Sequence, residues 1–194
     1  MSSNQHELSN KTVVSVEGMR KLEEKLQYLT TIRRAEVAEM IDPKYKKHIE
    51  MMGNAIPIIK KMGIRIVEMS DRHVKVLLPF EPNINHIGTI YAGSLFTAGE
   101  YIGGPIYVAS FDYSRFYPIV KAINIQFRRP ATTDVTVEAT LSEAEVNAIQ
   151  AEAEAKGKAD WKMDLEIKDQ AMTVCSLIQG VWQLRVMSEG GIKK

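Results

Sequence analysis

The sequence is poor in the residues that announce most chemistries. A single cysteine, Cys175, among 194 residues excludes an internal disulfide and any cysteine-based metal cluster. Its setting, "AMTVCSLIQGVW", suits a buried structural thiol better than a nucleophile. The four histidines are scattered and form no metal-ligand spacing, so no metal is expected. No run approaches the roughly 18 apolar residues of a membrane span, and the polar opening "MSSNQHELSNK" lacks the apolar core of a secretory signal. The expected location is cytoplasmic, with no membrane partner. Neither sign of charge dominates: 25 Lys and Arg against 24 Asp and Glu leave a formal charge of +1, so nucleic acid is not an expected partner. Also missing are a Walker-type phosphate loop, a G-x-G-x-x-G after a strand, and the G-x-S-x-G frame that would make Ser94 a nucleophile.

What the chain does have is enough apolar material, 45% of its residues, to build one principal domain. Met19, Leu22, Leu26, Leu29, Ile32, Val37, Met40 and Ile41 fit a helical period, which predicts a helix from Val16 to about Ile41, stopped by Asp42-Pro43. That helix makes residues 1–45 an amino-terminal helical extension. A second, short helix is expected over roughly 48–62, closed by Gly63. The period then changes to two. "IRIVEMS" and "HVKVLLPF" read as a hairpin turning at Ser70-Asp71-Arg72. "PIVKAINIQFRRP" and "DVTVEATL" each alternate, with Ile123, Ile125 and Phe127 on one core face and Val135, Val137 and Ala139 on the other. "SEAEVNAIQAEAEAKG" is a short helix or an excursion, with Ser142 as N-cap and Gly157 as its end. "WKMDLEIKD" and "AMTVCSLIQGVWQLR" form a last hairpin. The main domain is thus 46–187, with 188–194 a flexible tail.

Between the first two strands and the last four lies "NINHIGTIYAGSLFTAGEY", Asn83 to Tyr101, leading into an apolar segment that reaches residue 108. A helix that is apolar on most sides must be covered on most sides. The economical answer is an α+β fold in which an antiparallel sheet wraps one long central helix, with faces left for a second copy of the chain. Gly103-Gly104-Pro105 should kink or end that helix. Glu100 is the anomaly, since a carboxylate among Leu95, Phe96, Ala98, Gly99 and Ile102 costs free energy unless it is paired or put to use.

This order of elements, with "N-x-x-G-T-I-Y-A-G-x-x-F-x-x-x-E" at Asn85–Glu100, resembles the hotdog-fold acyl-CoA thioesterases. The resemblance covers about residues 48–185 and is strongest to the small group related to the phenylacetate-pathway and 4-hydroxybenzoyl-CoA enzymes, including DUF4442-like chains. It implies that Glu100 is the general base or nucleophile, that the backbone N–H of Ala92, with Gly93 beside it, polarises the thioester carbonyl, and that Asn85 positions water or carbonyl. Gly88 and Thr89 fall at the family's loop spacing. The chain departs from the pattern at Tyr91-Ala92-Gly93, where many relatives have His-Gly-Gly, and at Val120, where some present Ser or Thr.

Physical chemistry supports the same assignment. A helix N-terminus presents unpaired N–H groups and partial positive charge to a developing oxyanion. Glu100 stands more than two turns beyond Ala92, so a symmetric homodimer, with the site at its interface and a dimer of dimers as an option, is expected to bring Glu100 of one chain to Ala92 of the other. Arg128 and Arg129 suit coenzyme A phosphates. Tyr91 and Phe96 are candidate walls of an acyl pocket. The substrate is expected to be an acyl-CoA or acyl-carrier thioester, with no cofactor beyond coenzyme A within the substrate. Two alternatives stand beside hydrolysis. In one, His86 and Glu100 act as the pair of a hotdog enoyl-thioester dehydratase or hydratase; in the other, the fold binds acyl-CoA without turnover. Residues 15–41 are separately similar to the start of the coiled coil of Gre-type transcript cleavage factors. They lack that family's acidic tip, and no function is carried over.

Overall fold

The computed structural model describes residues 17–24 and 40–187. The chain divides into two units, Met1–Ala38 and Glu39–Lys194. In the first, residues 17–24 form helix α1, which carries the exposed i,i+4 ion pairs Glu17–Lys21 (3.3 Å) and Arg20–Glu24 (2.8 Å). Pairs of this kind add only a few tenths of a kcal/mol each. Residues 16 and 25–39 of the helix expected over 16–41, and the expected tail 188–194, lie outside the described residues; at its expected end the helix is not formed, since Met40 is in a turn and Ile41 makes a β-bridge with Met69.

The second unit opens with a single 3-10 turn, Pro43–Tyr45, whose first free N–H groups are met by Asp42: its carboxylate accepts from the Lys44 N–H at 3.0 Å. Helix α2 (Lys46–Ala55) and helix α3 (Pro57–Met62) follow. Where the sequence predicts one helix, the chain makes two, because Pro57 has no N–H for the preceding turn and holds Ile56 extended at φ −122°, ψ 104°. Gly63 closes α3 in the left-handed region, φ 70°, with its N–H on the Ile59 and Lys60 carbonyls.

Six strands form one sheet: β1 (Arg65–Ser70), β2 (His73–Leu78), β3 (Phe116–Phe127), β4 (Val135–Thr140), β5 (Lys158–Asp169) and β6 (Val174–Val186). Their order is β1-β2-β4-β5-β6-β3, and every neighbouring pair is antiparallel. The alternation of β5 is strict: Ala159, Trp161, Met163, Leu165 and Ile167 are buried while Lys158, Asp160, Lys162, Asp164 and Glu166 face solvent. Val135, Val137 and Ala139 of β4 are buried as expected. Helix α6 (Glu143–Lys156), between β4 and β5, is closed at its start by a reciprocal pair in which Ser142 Oγ accepts from Glu145 N–H at 3.2 Å and Glu145 Oε2 accepts from Ser142 N–H at 2.7 Å. Gly157 ends it at φ 77°.

The inner face of the sheet wraps helix α4 (Ala92–Tyr101) and helix α5 (Gly103–Ser110). The single long helix of the sequence reading is thus interrupted. Pro105 cannot donate to the Tyr101 carbonyl, and the two segments meet at Ile102, which is itself fully buried. Gly99 and Gly103 face β6 so closely that a Cβ on the first would overlap Ile178 and on the second Trp182. Trp182 stacks on Trp161 with centroids 6.2 Å apart, and Phe111 meets Trp161 at 5.4 Å. Cys175 is buried, and desolvation raises its thiol pKa, consistent with a structural role.

One expectation about the sheet holds only in part: Ile123 and Ile125 pack against the core, whereas Phe127 is exposed. From Val120 to Phe127 no residue of β3 is buried, so the supposed core face of Ile123, Ile125 and Phe127 is covered only in part. The cause is position: β3 is an edge strand, paired on one side alone within the sheet.

Candidate active site

Residues 83–91 form a turn held together by Asn85. Its Oδ1 accepts from the Ile87 and Thr89 N–H groups at 3.0 and 3.1 Å, and its Nδ2 donates to Thr89 Oγ1 at 2.9 Å. Gly88, at φ 78°, gives the turn its left-handed step. The backbone closes it twice more, through Asn85 N–H to Thr89 O at 2.8 Å and Gly88 N–H to Asn85 O at 3.1 Å. Asn85 is thus a builder of the loop with one amide proton to spare, since an NH2 carries two. His86 is exposed at the edge of the turn, and among the described residues His86 and Glu100 make no hydrogen bond to each other.

This turn delivers the chain into α4 without a side-chain cap. Tyr91 occupies the N-cap position at φ −59°, ψ 132°, and its own N–H is taken by Asn83 O at 2.8 Å. The N–H groups of Ser94 and Leu95 return to Tyr91 O at 2.9 and 3.2 Å. Those of Ala92 and Gly93 have no acceptor among the described residues, so the partial positive end of the helix is open. The ring of Tyr91 folds over Gly93, where any Cβ would collide with it. A side chain at position 93 would have to push this exposed ring aside.

Two cavities border this helix start. One, of about 460 Å³, is lined by Ile58, Met62, Asn83, Asn85, His86 and Tyr91, among others. The other, of about 280 Å³, includes Asn85, Thr89, Ala92, Phe127, Arg128 and Arg129. Asn85 belongs to both. The two arginines are exposed and form no ion pair among the described residues; their backbone N–H groups share the Cys175 carbonyl at 2.8 and 3.1 Å. Their side chains are free to meet an anion.

Glu100 lies elsewhere. It lines neither cavity and is eight residues beyond Ala92, about 12 Å along the axis at roughly 1.5 Å per residue. It shares the incompletely covered stripe of α4 with Gly93, Phe96 and Thr97, Phe96 being 40% exposed. Its carboxyl is half-buried with no hydrogen-bond or ionic partner among the described residues, and burial raises its pKa. One chain thus brings together Asn85, His86, Gly88, Thr89, Tyr91, Ala92, Gly93, Arg128 and Arg129, and leaves Glu100 and Phe96 apart. Sequence reasoning passed over Asn83 and Ser94, both buried beside the larger cavity. A polar residue in the first turn of an otherwise apolar helix was the available signal for Ser94. Among the described residues no group of three or more His, Cys, Asp or Glu could hold a metal ion, and no helix is long and apolar enough to cross a membrane.

A six-stranded antiparallel sheet wrapped round a helix defines the hotdog fold of thioesterases. The chain belongs to the family described as "Domain of unknown function (DUF4442)", which matches residues 46–184. Among solved structures it is similar to a protein of unknown function from Pseudomonas aeruginosa described as a probable thioesterase. The two are 35% identical, with a TM-score of 0.71, over 76% of this chain and 98% of that one. It is also similar to a protein of unknown function from Chlorobaculum tepidum (21% identity, TM-score 0.63, 72% of this chain and 93% of that one). A mutant thioesterase from Pseudomonas aeruginosa follows at 15% identity and TM-score 0.56, over 72% of this chain and 94% of that one. The last two bear on the fold alone. No curated protein matches the chain.

Proposed function

We propose that the protein hydrolyses an acyl thioester, an acyl-CoA or acyl-carrier substrate, as a homodimer that completes each site with Glu100 from the partner. The reading is carried by one juxtaposition: an uncapped helix start with two N–H groups free among the described residues and beside a cavity, and on the same apolar helix a half-buried carboxylate that finds no partner among the described residues. The first suits an oxyanion and the second suits a base, yet about 12 Å of helix separates them. Two-fold symmetry resolves the separation. The support for a second copy is the long open edge of β3, with Phe96, Val120 and Phe127 exposed at 40%, 44% and 51%. The description of the Pseudomonas aeruginosa relative as a probable thioesterase supports the reaction class.

In this mechanism the thioester carbonyl oxygen accepts from the Ala92 and Gly93 N–H groups, and Asn85 offers its remaining amide proton to the same oxygen or to water. Glu100 takes a proton from water as the water oxygen attacks the carbonyl carbon. The tetrahedral oxyanion collapses, the carbon–sulfur bond breaks, and the proton on Glu100 passes to the departing thiolate, leaving free acid and thiol. Arg128 and Arg129 hold the phosphates of coenzyme A. Tyr91, in the position where many relatives carry His, borders the helix start on the side of the larger cavity.

The test is thiol release from short, medium, long and aromatic acyl-CoAs, with the native chain and Glu100→Gln at equal folded concentration. Turnover of at least one class and a loss of about a hundredfold or more in the variant are expected, the scale for removing a positioned base. Undiminished activity in Glu100→Gln, or full activity from a chain that light scattering finds monomeric, overturns the mechanism. Hydration of an enoyl-CoA in place of hydrolysis assigns the fold to the dehydratase alternative.

A further inference from the structure

Resting on the thioesterase reading, the buried polar groups of the larger cavity point to the kind of acyl chain it takes. Ser94 is 3% exposed, lines that cavity, and its hydroxyl makes no hydrogen bond among the described residues. A helical Ser or Thr ordinarily turns its hydroxyl back on the preceding turn, as Thr97 does on the Gly93 carbonyl at 2.8 Å. Ser94 does not. Nor is its oxygen among the buried atoms sealed off without a partner, so the surface it keeps belongs to the cavity.

Asn83, 6% exposed, lines the same cavity. Both protons of its amide are committed, to the Met62 carbonyl at 2.8 Å and the Pro79 carbonyl at 2.9 Å, which fixes its orientation and leaves Oδ1 as a free acceptor. The two residues are joined through Tyr91, whose N–H bonds Asn83 O and whose carbonyl accepts from Ser94 N–H. A hydroxyl that can donate and an amide oxygen that can only accept thus face a cavity whose apolar wall is Ile58, Met62 and Ile84 and whose remaining lining includes Lys61, His86 and Tyr91.

We infer that the acyl group carries a hydroxyl close to its thioester carbonyl, as in a β-hydroxyacyl thioester. A ligand hydroxyl donates to Asn83 Oδ1 and accepts from Ser94 Oγ, satisfying both. A ketone can only accept, and a saturated chain does neither, leaving both buried groups unpaired. Sites built to bond a substrate hydroxyl discriminate strongly against the analogue that lacks it. The hydroxyl lies near the carbonyl because Ser94 directly follows the Ala92 and Gly93 N–H groups that hold the carbonyl oxygen. The methylenes beyond it lie on the apolar wall.

The experiment compares kcat/KM for a β-hydroxyacyl-CoA with that for the saturated acyl-CoA of the same length, in the native protein and in Ser94→Ala. The native protein is expected to prefer the hydroxylated substrate by about tenfold or more, and the variant to bring the ratio close to one. The ratio is internal to each protein, so a damaged fold that lowers both rates equally does not imitate the result. Equal rates in the native protein, or an unchanged preference in Ser94→Ala, overturn the inference while leaving the hydrolase reading in place. If neither substrate is hydrolysed, the hydrolase reading fails, and calorimetric binding of the same two compounds decides the inference alone. Tighter binding of the hydroxylated compound that Ser94→Ala abolishes upholds it, and equal binding overturns it.

Discussion

Gly103 lies flat against the indole Nε1 of Trp182, so near that a Cβ on the glycine would overlap the ring. Trp182 stacks on Trp161 and cannot withdraw cheaply. Gly103→Ala should therefore destabilise the fold by about 1–3 kcal/mol through overpacking, against the helix-propensity gain of about 1 kcal/mol. At Gly104 nothing lies within 4 Å of an added Cβ, and Gly104→Ala should stabilise by about 0.5–1 kcal/mol. Urea midpoints of the two variants, one residue apart, should move in opposite directions.

Glu100 sets a pH dependence. Its pKa is raised above 4.5 by burial, so over the window from 4.5 to its folded value the native state holds a proton that the unfolded state has released. The stability tied to that proton is complete below 4.5 and is lost as pH rises through the folded pKa. Glu100→Gln lacks the charge, so its stability relative to the native chain should improve as pH climbs across the same window, read from urea midpoints at a series of pH values. If Glu100 is the base of the proposed hydrolysis, the acidic limb of kcat/KM should lie above the ordinary carboxylate range, since the base must be ionised. A limb at the ordinary value would separate Glu100 from the chemistry.

Arg128 and Arg129 form no ion pair among the described residues and share a cavity with Ala92. Replacing both with Ala should raise KM for an acyl-CoA about tenfold with little change in kcat, the pattern of lost uniform binding. The same acyl group on N-acetylcysteamine, which has no phosphate, should show no such change. An equal effect on both substrates would place the arginines in folding and not in coenzyme A binding.

Asn85 separates loop building from chemistry. Asn85→Asp keeps the oxygen that accepts from Ile87 and Thr89 and loses the amide protons. Asn85→Ala loses everything. The alanine variant should cost about 1–3 kcal/mol of stability and the aspartate variant clearly less, yet both should lose at least tenfold in turnover if the spare amide proton serves the reaction. Turnover retained by Asn85→Asp would confine the residue to the turn.

Local chemistry was legible in the sequence wherever a residue acts on its immediate neighbours. Ser142 caps α6 through its hydroxyl and Gly157 ends it through a left-handed backbone step, and the Gly103-Gly104-Pro105 signal matches the break at Ile102. The alternation of β4 and β5 is as regular in space as in the string. The break at Pro57 was equally local and escaped only because the apolar residues on both sides keep a helical rhythm. Two features were beyond reach. The placing of β6 between β5 and β3 depends on pairings far apart in sequence, which no local pattern encodes. The exposure of Phe127 depends on the strand being at the edge, and an alternating strand reads the same at an edge as at the centre. At the candidate site the loop and helix start were legible as a motif, whereas the unpaired state of Ser94 could be known only once its neighbours were in place.

The position of β6 also has a meaning in time. It is the last strand to be synthesised, yet it is the one on which both β5 and β3 lean along nearly their whole lengths. A chain leaving the ribosome exposes β3 some fifty residues before its partner exists, with an uncommitted row of backbone donors and acceptors throughout that interval. Whatever protects the nascent chain must do so until Val174–Val186 has emerged, and the free edge of β3 becomes rigid only at that moment. For the proposed homodimer, assembly would thereby follow completion of the fold, since half-made chains have no finished edge with which to pair.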